Sequence, residues 1–315
     1  MPRVVLQARH LTKRFGSVLA VSDLSLEIYE NEVFGFLGPN GAGKTTSINM
    51  MCGLLKPDEG SVFINDQPID GGDGSGRARV GVCPQDIVLW SHLTCIEQLQ
   101  FIGEMYGMKG KDARVRGDQL LEELGMTDRR AKQARTLSGG LKRRLNLAMA
   151  LVHNPDIVVL DEPEVGLDPQ SRVAVREYIR QLARHKTIIL TTHNMDEADR
   201  LAHRMAIIDK GELLVLDTPR AIKSSVGEGN VLEIGLKKNG ECLDLARLML
   251  KELEEQLRVS VAEGVLCVHA VDVVALLPPI LERLRLGGVP IGDVHVRENT
   301  LEDAFILLTG RRLRE

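Results

Sequence analysis

Alternating apolar and polar positions open the chain. Val4–Leu11 and Leu19–Tyr29 have the two-residue period of half-buried strands, and a turn is predicted between them at Thr12–Gly16. Glu32–Leu37 is a short continuous apolar run, as long as a fully buried strand. We therefore expect an antiparallel β layer next to a sheet that is covered on both faces.

Beyond this run, predicted strands alternate with predicted helices. The strand patterns lie at Gly60–Asn65, Arg79–Pro84, Asp156–Asp161, Thr187–Thr191 and, as a closing hairpin, Arg204–Asp209 and Glu212–Asp217. The helical patterns lie at Ser47–Leu55, Thr94–Met108, Asp112–Leu124, Leu141–Leu151, Ser171–Arg184 and Glu197–His203. This alternation is typical of an α/β fold with a mainly parallel sheet. Residues from about 87 to 150 are mostly helical and are predicted to form a helical subdomain.

A change of composition at Ser224–Asn230 predicts a linker, which divides the chain into residues 1–224 and 225–315. The second part shows the pattern β-α-β-β-α-β-α, typical of a small ferredoxin-like α+β domain. Asp272 is a predicted helix cap there. Pro278 and Pro279 are expected either to kink the helix that follows or to mark its start.

Composition excludes several classes of protein. The net charge of −4 and the pI near 6.1 give no basic excess for binding nucleic acid. The five cysteines have no metal-ligand or redox spacing and are expected to pack as small apolar side chains. The N-terminal residues do not resemble a signal peptide, and the sequence has no apolar run of about 18 residues. We expect a cytoplasmic chain without a transmembrane segment.

Gly38–Thr46 lies between a predicted buried strand and a predicted helix. Its sequence, Gly-Pro-Asn-Gly-Ala-Gly-Lys-Thr-Thr, matches the phosphate-binding loop Gly-x-x-x-x-Gly-Lys-Ser/Thr. Backbone N–H groups and a helix N-terminus converge on an anion in this context. Lys44 is expected to reach the β- and γ-phosphates, and Thr45 to bind Mg²⁺. The nucleotide-binding residues predicted here are Gly38, Pro39, Asn40, Gly41, Ala42, Gly43, Lys44, Thr45 and Thr46.

Three further side chains extend the candidate site. Asp161 and Glu162 end an apolar strand, where one carboxylate can hold Mg²⁺ and the next can orient or deprotonate the attacking water. Phe15, in the predicted turn, is a candidate platform for adenine stacking, with an ordinary core phenylalanine as the alternative. These features predict a nucleotide-binding enzyme but leave several classes of NTPase open.

Additional motifs narrow the class. They are Gln85, Leu137-Ser138-Gly139-Gly140, Leu160-Asp161-Glu162-Pro163, Gly166-Leu167-Asp168 and His193. Together with the phosphate loop, and in this order, they resemble the ATP-binding subunits of ATP-binding-cassette (ABC) transporters over roughly residues 4–220. The resemblance implies a P-loop NTPase fold, and ATP and Mg²⁺ as the cofactors.

The resemblance also implies a role for each motif. Two cassettes would pair head to tail, as a homodimer or a heterodimer. Gln85 would contact Mg²⁺ and the attacking water, His193 would contact the γ-phosphate, and Asp168 would align the two sites. The phosphate loop of one chain would share its ATP with Ser138, Gly139 and Gly140 of the other. The expected metal ligands are Thr45, Gln85 and Asp161, and the expected catalytic residues are Glu162, His193, Gln85 and Lys44.

The subclass and the partner follow from two further segments. Ser138–Leu145 and Glu298–Gly310 resemble segments of daunorubicin-resistance and nodulation-type exporters, whose ATP-binding chains pair with separate membrane permeases. This implies export, from a peripheral position on the inner face of the cell membrane. Ile87–Trp90 is the expected contact with the permease, although Trp90 is equally consistent with a buried core residue. Leu141 and Glu164 depart from the family pattern, which more often has Gln and Thr or Ser there.

Two other functions stand as alternatives. One is a soluble ABC ATPase that acts on ribosomes or DNA, but such chains carry two cassettes or a long coiled coil. The other is a binding-only subunit beside a catalytic partner. The intact residues Lys44, Asp161, Glu162 and His193 argue against a binding-only subunit, and an ATPase assay separates the two cases.

Overall fold

The computed structural model of the chain describes residues 2–69, 76–225, 230–236, 241–250, 257–262, 265–270 and 272–309. Most of the loop predicted at Asp70–Gly76, and part of the linker predicted at Ser224–Asn230, lie outside these residues. The chain divides into two compact units, residues 1–216 and 217–315. The predicted boundary after residue 224 lies within the first helix of the second unit.

The first unit is an α/β structure. Its strands are β1 (Val4–Phe15), β2 (Val18–Tyr29), β3 (Val33–Leu37), β4 (Glu59–Ile64), β5 (Gln67–Pro68), β6 (Val80–Cys83), β7 (Ile157–Asp161), β8 (Thr187–Thr192), β9 (Arg204–Asp209) and β10 (Glu212–Asp217). Its helices are α1 (Lys44–Met51), α2 (Cys95–Met105), α3 (Gly110–Glu123), α4 (Gly139–Leu151), α5 (Pro169–Leu182) and α6 (Met195–Leu201). The predicted fold class is confirmed.

Two sheets form this unit. The order of one is β10-β9-β3-β8-β7-β6, with parallel pairing from β9 across to β6. The other has the order β2-β1-β4-β5 and antiparallel pairing. Because parallel strands end at the same edge, the loops after β3, β6, β7 and β8 meet there. These loops carry the phosphate loop, Gln85, Glu162 and His193.

The parallel sheet is buried on both faces. Val158 and Leu160 of β7 pack into a core with α2, α3, α4 and α5. Val159 faces the opposite way, into a core that contains Phe34, the antiparallel sheet and α1. All five residues of β3 are buried, which explains its continuous apolar sequence.

Several predicted boundaries differ from the structure. The predicted turn at Thr12–Gly16 is wrong, because β1 continues to Phe15 through register shifts that accommodate its polar end. The first helix begins at Lys44 instead of Ser47, directly after Gly43. The helix predicted at Glu197–His203 begins earlier, because the Asn194 side chain accepts the N–H of Glu197 and caps α6.

The second unit contains α7 (Pro219–Ser225), β11 (Asn230–Leu236), α8 (Glu241–Leu250), β12 (Arg258–Ala262), β13 (Val265–Ala270), α9 (Val273–Leu286), β14 (Ile291–Glu298) and α10 (Leu301–Thr309). Its antiparallel sheet has the order β12-β13-β11-β14. From β11 onward the elements follow the predicted β-α-β-β-α-β-α order. Asp272 caps α9, so Pro278 and Pro279 lie inside that helix and do not start it.

Candidate functional site

The segment Gly38–Thr46 forms a tight loop between the carboxyl end of β3 and the start of α1. Gly41 and Gly43 have φ angles of 78° and 101°, in the left-handed region that favours glycine. A Cβ on Gly43 would lie 2.5 Å from the carbonyl oxygen of Ala20, and one on Gly38 would lie 2.2 Å from that of Ile208. The loop therefore reaches this shape only with glycine at these positions.

A cavity of about 410 Å³ opens beside the loop. Its lining residues are Val18, Leu19, Ala20, Asn40, Gly41, Gly43, Lys44, Thr45, Thr46, Gln85, Asp161, Glu162 and Lys210. Lys44 is buried, and its Nζ donates to the carbonyls of Gly38 at 2.7 Å and Pro39 at 3.1 Å. Burial lowers the pKa of Lys44 below its ordinary value, and the nearby carboxylates of Glu162 and Asp161 offset this effect only in part. The cavity thus holds one buried cation opposite two acidic side chains.

The Glu162 side chain lies between two other predicted site residues. Nε2 of Gln85 donates to its Oε2 at 3.1 Å, and Nδ1 of His193 lies 2.8 Å from its Oε1. The three residues come from the ends of β6, β7 and β8, and the structure brings them together. Glu162 is only 7% exposed, so its carboxylate is oriented by fixed partners instead of bulk water.

The backbone at Glu162 is strained. Its φ of 45° lies in the left-handed region, which costs a residue with a side chain about 1–3 kcal/mol. The N–H of Glu162 is shared between the carbonyl of Thr191 at 3.1 Å and its hydroxyl at 3.0 Å. The same hydroxyl donates to Asp161. Thr191 therefore holds both carboxylate residues, although no motif pointed to it in the sequence.

Arg143 is the second residue that the motifs did not reveal. This buried side chain of α4 donates to five backbone carbonyls at 2.6–3.1 Å, those of Pro84, Gln85, Asp161, Glu162 and Pro163. A guanidinium has five N–H donors, so all are used. Arg143 lies on the same helix face as the buried residues Leu147 and Leu151. This spacing is the feature of the sequence that indicates its burial.

Other predicted binding residues lie outside the cavity lining. Phe15 is 52% exposed at the end of β1, so the core alternative is wrong, and its partner Val18 lines the cavity. Ser138 caps α4, with its hydroxyl accepting the N–H of Leu141 at 3.5 Å. Asp168 caps α5, and hydrogen bonds from Ser171 lower the pKa of its carboxyl group.

Comparison with known proteins settles the class. The sequence model of the ABC transporter family matches residues 21–165. Over 99% of its length the chain is 34% identical to all of the linearmycin resistance ATP-binding protein LnrL of Bacillus subtilis (strain 168). It is 38% identical, end to end, to the Nod factor export ATP-binding protein I of Paraburkholderia xenovorans (strain LB400). The chain belongs to the ATP-binding proteins of ABC transporters.

A solved structure supports the same assignment. The ATP-binding cassette MJ0796, in a dimeric post-hydrolysis state with ADP and Pi, superposes with a TM-score of 0.61 at 26% identity. It covers 68% of this chain and 98% of its own. The chain is therefore an ATP-binding and ATP-hydrolysing subunit of the ABC exporter type, and the ribosome, DNA and binding-only alternatives are not supported. Among the residues described, no helix has the length and apolarity to cross a membrane.

Proposed function

We propose that the chain binds MgATP in the cavity around Lys44 and hydrolyses it with Glu162 as the group that activates water. The cycle would drive export through a separate membrane permease, on the inner face of the cell membrane. The observation that carries this proposal is the buried Glu162 carboxylate, held by Gln85 and His193 at the cavity wall.

The cavity residues fit a magnesium nucleotide. The Thr45 hydroxyl, the Gln85 amide oxygen and the Asp161 carboxylate are oxygen ligands, the type that Mg²⁺ prefers. Because Gln85 uses its Nε2 on Glu162, its Oε1 is the atom available to an ion. When bound, the ion would offset the charge of the phosphate oxygens. Lys44 would exchange its two carbonyl partners for phosphate oxygens.

Glu162 is placed to accept a proton from water. A general base accepts the proton of water on its carboxylate, and the hydrogen bond from Gln85 fixes the orientation of that carboxylate at the cavity wall. His193 is about one third exposed, so its ring reaches from Glu162 towards solvent. We propose that His193 contacts the terminal phosphate there and keeps Glu162 in its productive orientation.

The nucleotide site of one chain is incomplete. The N-terminus of α4, with Ser138, Gly139 and Gly140, is a phosphate-binding arrangement that does not line the chain's own cavity. Head-to-tail pairing with a second cassette would bring it to the partner's ATP, with Asp168 beside it. The dimeric state of the cassette MJ0796 supports the pairing of two cassettes.

An apolar surface follows Gln85. Trp90 is 41% exposed and packs edge-on against Phe101, with ring centroids 5.1 Å apart. Trp90 is therefore not a core residue. Ile87, Val88 and Met105 are also exposed. We propose that these five side chains contact the permease, since exposed aromatic anchors are typical of interfaces.

The decisive experiment is Glu162→Gln in the purified full chain. The amide keeps the shape of the side chain but cannot accept a proton, so the turnover number for ATP should fall by about 10²- to 10⁴-fold while ATP still binds. Glu177→Gln, which removes an exposed carboxylate from α5, is the matched control and should hydrolyse ATP like the wild type. Undiminished turnover in Glu162→Gln would refute the proposed role.

A further inference from the structure

The turn that carries Glu162 also contains Glu164, which forms a buried ion pair with Arg176. Both oxygens of Glu164 accept hydrogen bonds from Arg176 of α5, at 3.0 Å from Nε and 2.7 Å from Nη2. The Glu164 side chain is 1% exposed. Two parallel hydrogen bonds of this kind are the most directional contact between arginine and a carboxylate. Glu164 therefore ties the segment after β7 to α5.

A second carboxyl group, that of Glu197 in the first turn of α6, contacts the first. It lies within hydrogen-bonding contact of Glu164 and accepts the Thr192 hydroxyl at 2.9 Å. A glutamate at a helix N-terminus is ordinarily ionised. Here burial and the adjacent Glu164 carboxylate raise the pKa of Glu197 to about 7, against the opposing effects of Thr192 and Arg176.

The contact with Thr192 leads to His193. The Thr192 hydroxyl donates to Glu197 and accepts the N–H of Asn194 at 2.9 Å, which shapes the turn with His193 at its centre. His193 contacts Glu162 at 2.8 Å. Two links therefore join the turn after β7 to the start of α6, one through His193 and one through Glu197.

We propose that Glu197 carries a proton that it donates to the Glu164 carboxylate, and that this pair, clamped by Arg176, positions His193 against Glu162. The inference rests on the proposed roles of Glu162 and His193. Glu197 does not line the nucleotide cavity, so it acts as a positioning residue. The ion pair of Glu164 with Arg176 would be complete without Glu197. Glu197 adds a second carboxyl group beside one guanidinium, and a proton on Glu197 removes the repulsion between the two carboxyl groups.

The groups that face the pair set the direction of its response to pH. Three side chains face Glu197. They are Glu164 in the turn after β7, Arg176 of α5 and Thr192 of β8. The exposed Glu177 interacts with Arg176 as well. One guanidinium balances one carboxylate. When the proton on Glu197 is lost, the two carboxylates repel each other and the two turns separate. His193 would then lose its alignment with Glu162.

The test compares the wild type with Glu197→Gln in the purified full chain. The amide donates to Glu164 at every pH and still accepts from Thr192. In the wild type, the turnover number should fall about tenfold from about pH 6 to about pH 8, as the protonated fraction of the pair falls. The fall should disappear in Glu197→Gln, with an unchanged KM for MgATP. Glu122→Gln, which removes an exposed carboxylate from α3, should keep the wild-type pH profile.

Thermal unfolding gives a second readout that requires no activity. The folded pKa of Glu197 lies above its ordinary value of 4.5, so the folded state keeps a proton that the unfolded state releases. The stability contributed by this group is therefore present at low pH and lost as pH rises from about 4.5 to about 7. Replacement by Gln should remove that part of the pH dependence.

Two outcomes would overturn the inference. If the turnover of Glu197→Gln falls with pH as in the wild type, the proton on Glu197 does not position His193. If thermal unfolding of the two proteins has the same pH dependence, Glu197 carries no such proton. Glu164→Gln is the mirror variant and should also flatten both profiles. Failure of the proposed function is separate, since Glu162→Gln tests it at every pH.

Discussion

Arg143→Lys tests how the two catalytic loops are held. The guanidinium of Arg143 donates to five carbonyls on the segments that carry Gln85 and Glu162. A lysine keeps the charge but has three donors, so at least two of these carbonyls lose their partner. Each hydrogen bond to a charged donor contributes about 1.5–3 kcal/mol, which gives a loss of about 3–6 kcal/mol.

The loss should be visible in thermal unfolding. For a unit of this size, 1 kcal/mol corresponds to about 2–4 °C, so the midpoint should fall by at least about 6 °C. Turnover measured well below that midpoint should also fall, because Glu162 needs its strained backbone held. Arg144→Lys is the matched control, since Arg144 donates to a single carbonyl among the described residues, that of Leu124 at 3.3 Å. A midpoint for Arg143→Lys equal to that of the control would refute the reasoning.

Two further predictions concern the shared site and the permease. Lys44→Ala should weaken equilibrium binding of ATP. A mixture of Lys44→Ala chains with Ser138→Arg chains should form heterodimers that have at most one intact composite site. Full activity of each variant alone would contradict a shared site. Trp90→Ala should keep the ATPase activity of the isolated chain but reduce copurification with the permease, and unchanged copurification would remove Trp90 from the contact.

Most of the fold could be predicted from the sequence because the spacing of its apolar residues is regular. The buried strands, the hairpin after α6 and the phosphate loop each left a pattern of adjacent residues. The observed ends of helices differ from the predicted ones where a side chain forms a hydrogen bond with the backbone. Asn194, which caps α6, is an example. The turn predicted after Leu11 failed for another reason. Register shifts in β1 let a polar stretch stay in the sheet, and periodicity alone does not show such shifts.

The motif residues of the site could be predicted from the sequence, whereas the residues that hold them in place could not. Gln85, Glu162 and His193 stand at strand ends, where a sequence motif and the topology coincide. Arg143 stands in a run of three basic residues that resembles a solvated surface, and only its place on an apolar helix face marks it. Thr191 continues a buried strand as an ordinary β-branched residue.

Glu162 shows why these supports matter together. Its strained backbone persists because Thr191 holds its N–H, Arg143 holds its carbonyl, and Gln85 and His193 hold its carboxylate. A left-handed residue with a side chain is stable only when its surroundings fix it in this way. The catalytic geometry therefore depends at once on the ends of β6, β7 and β8 and on helix α4. Any change that separates two of these segments should reach Glu162 even when it touches no atom of the cavity.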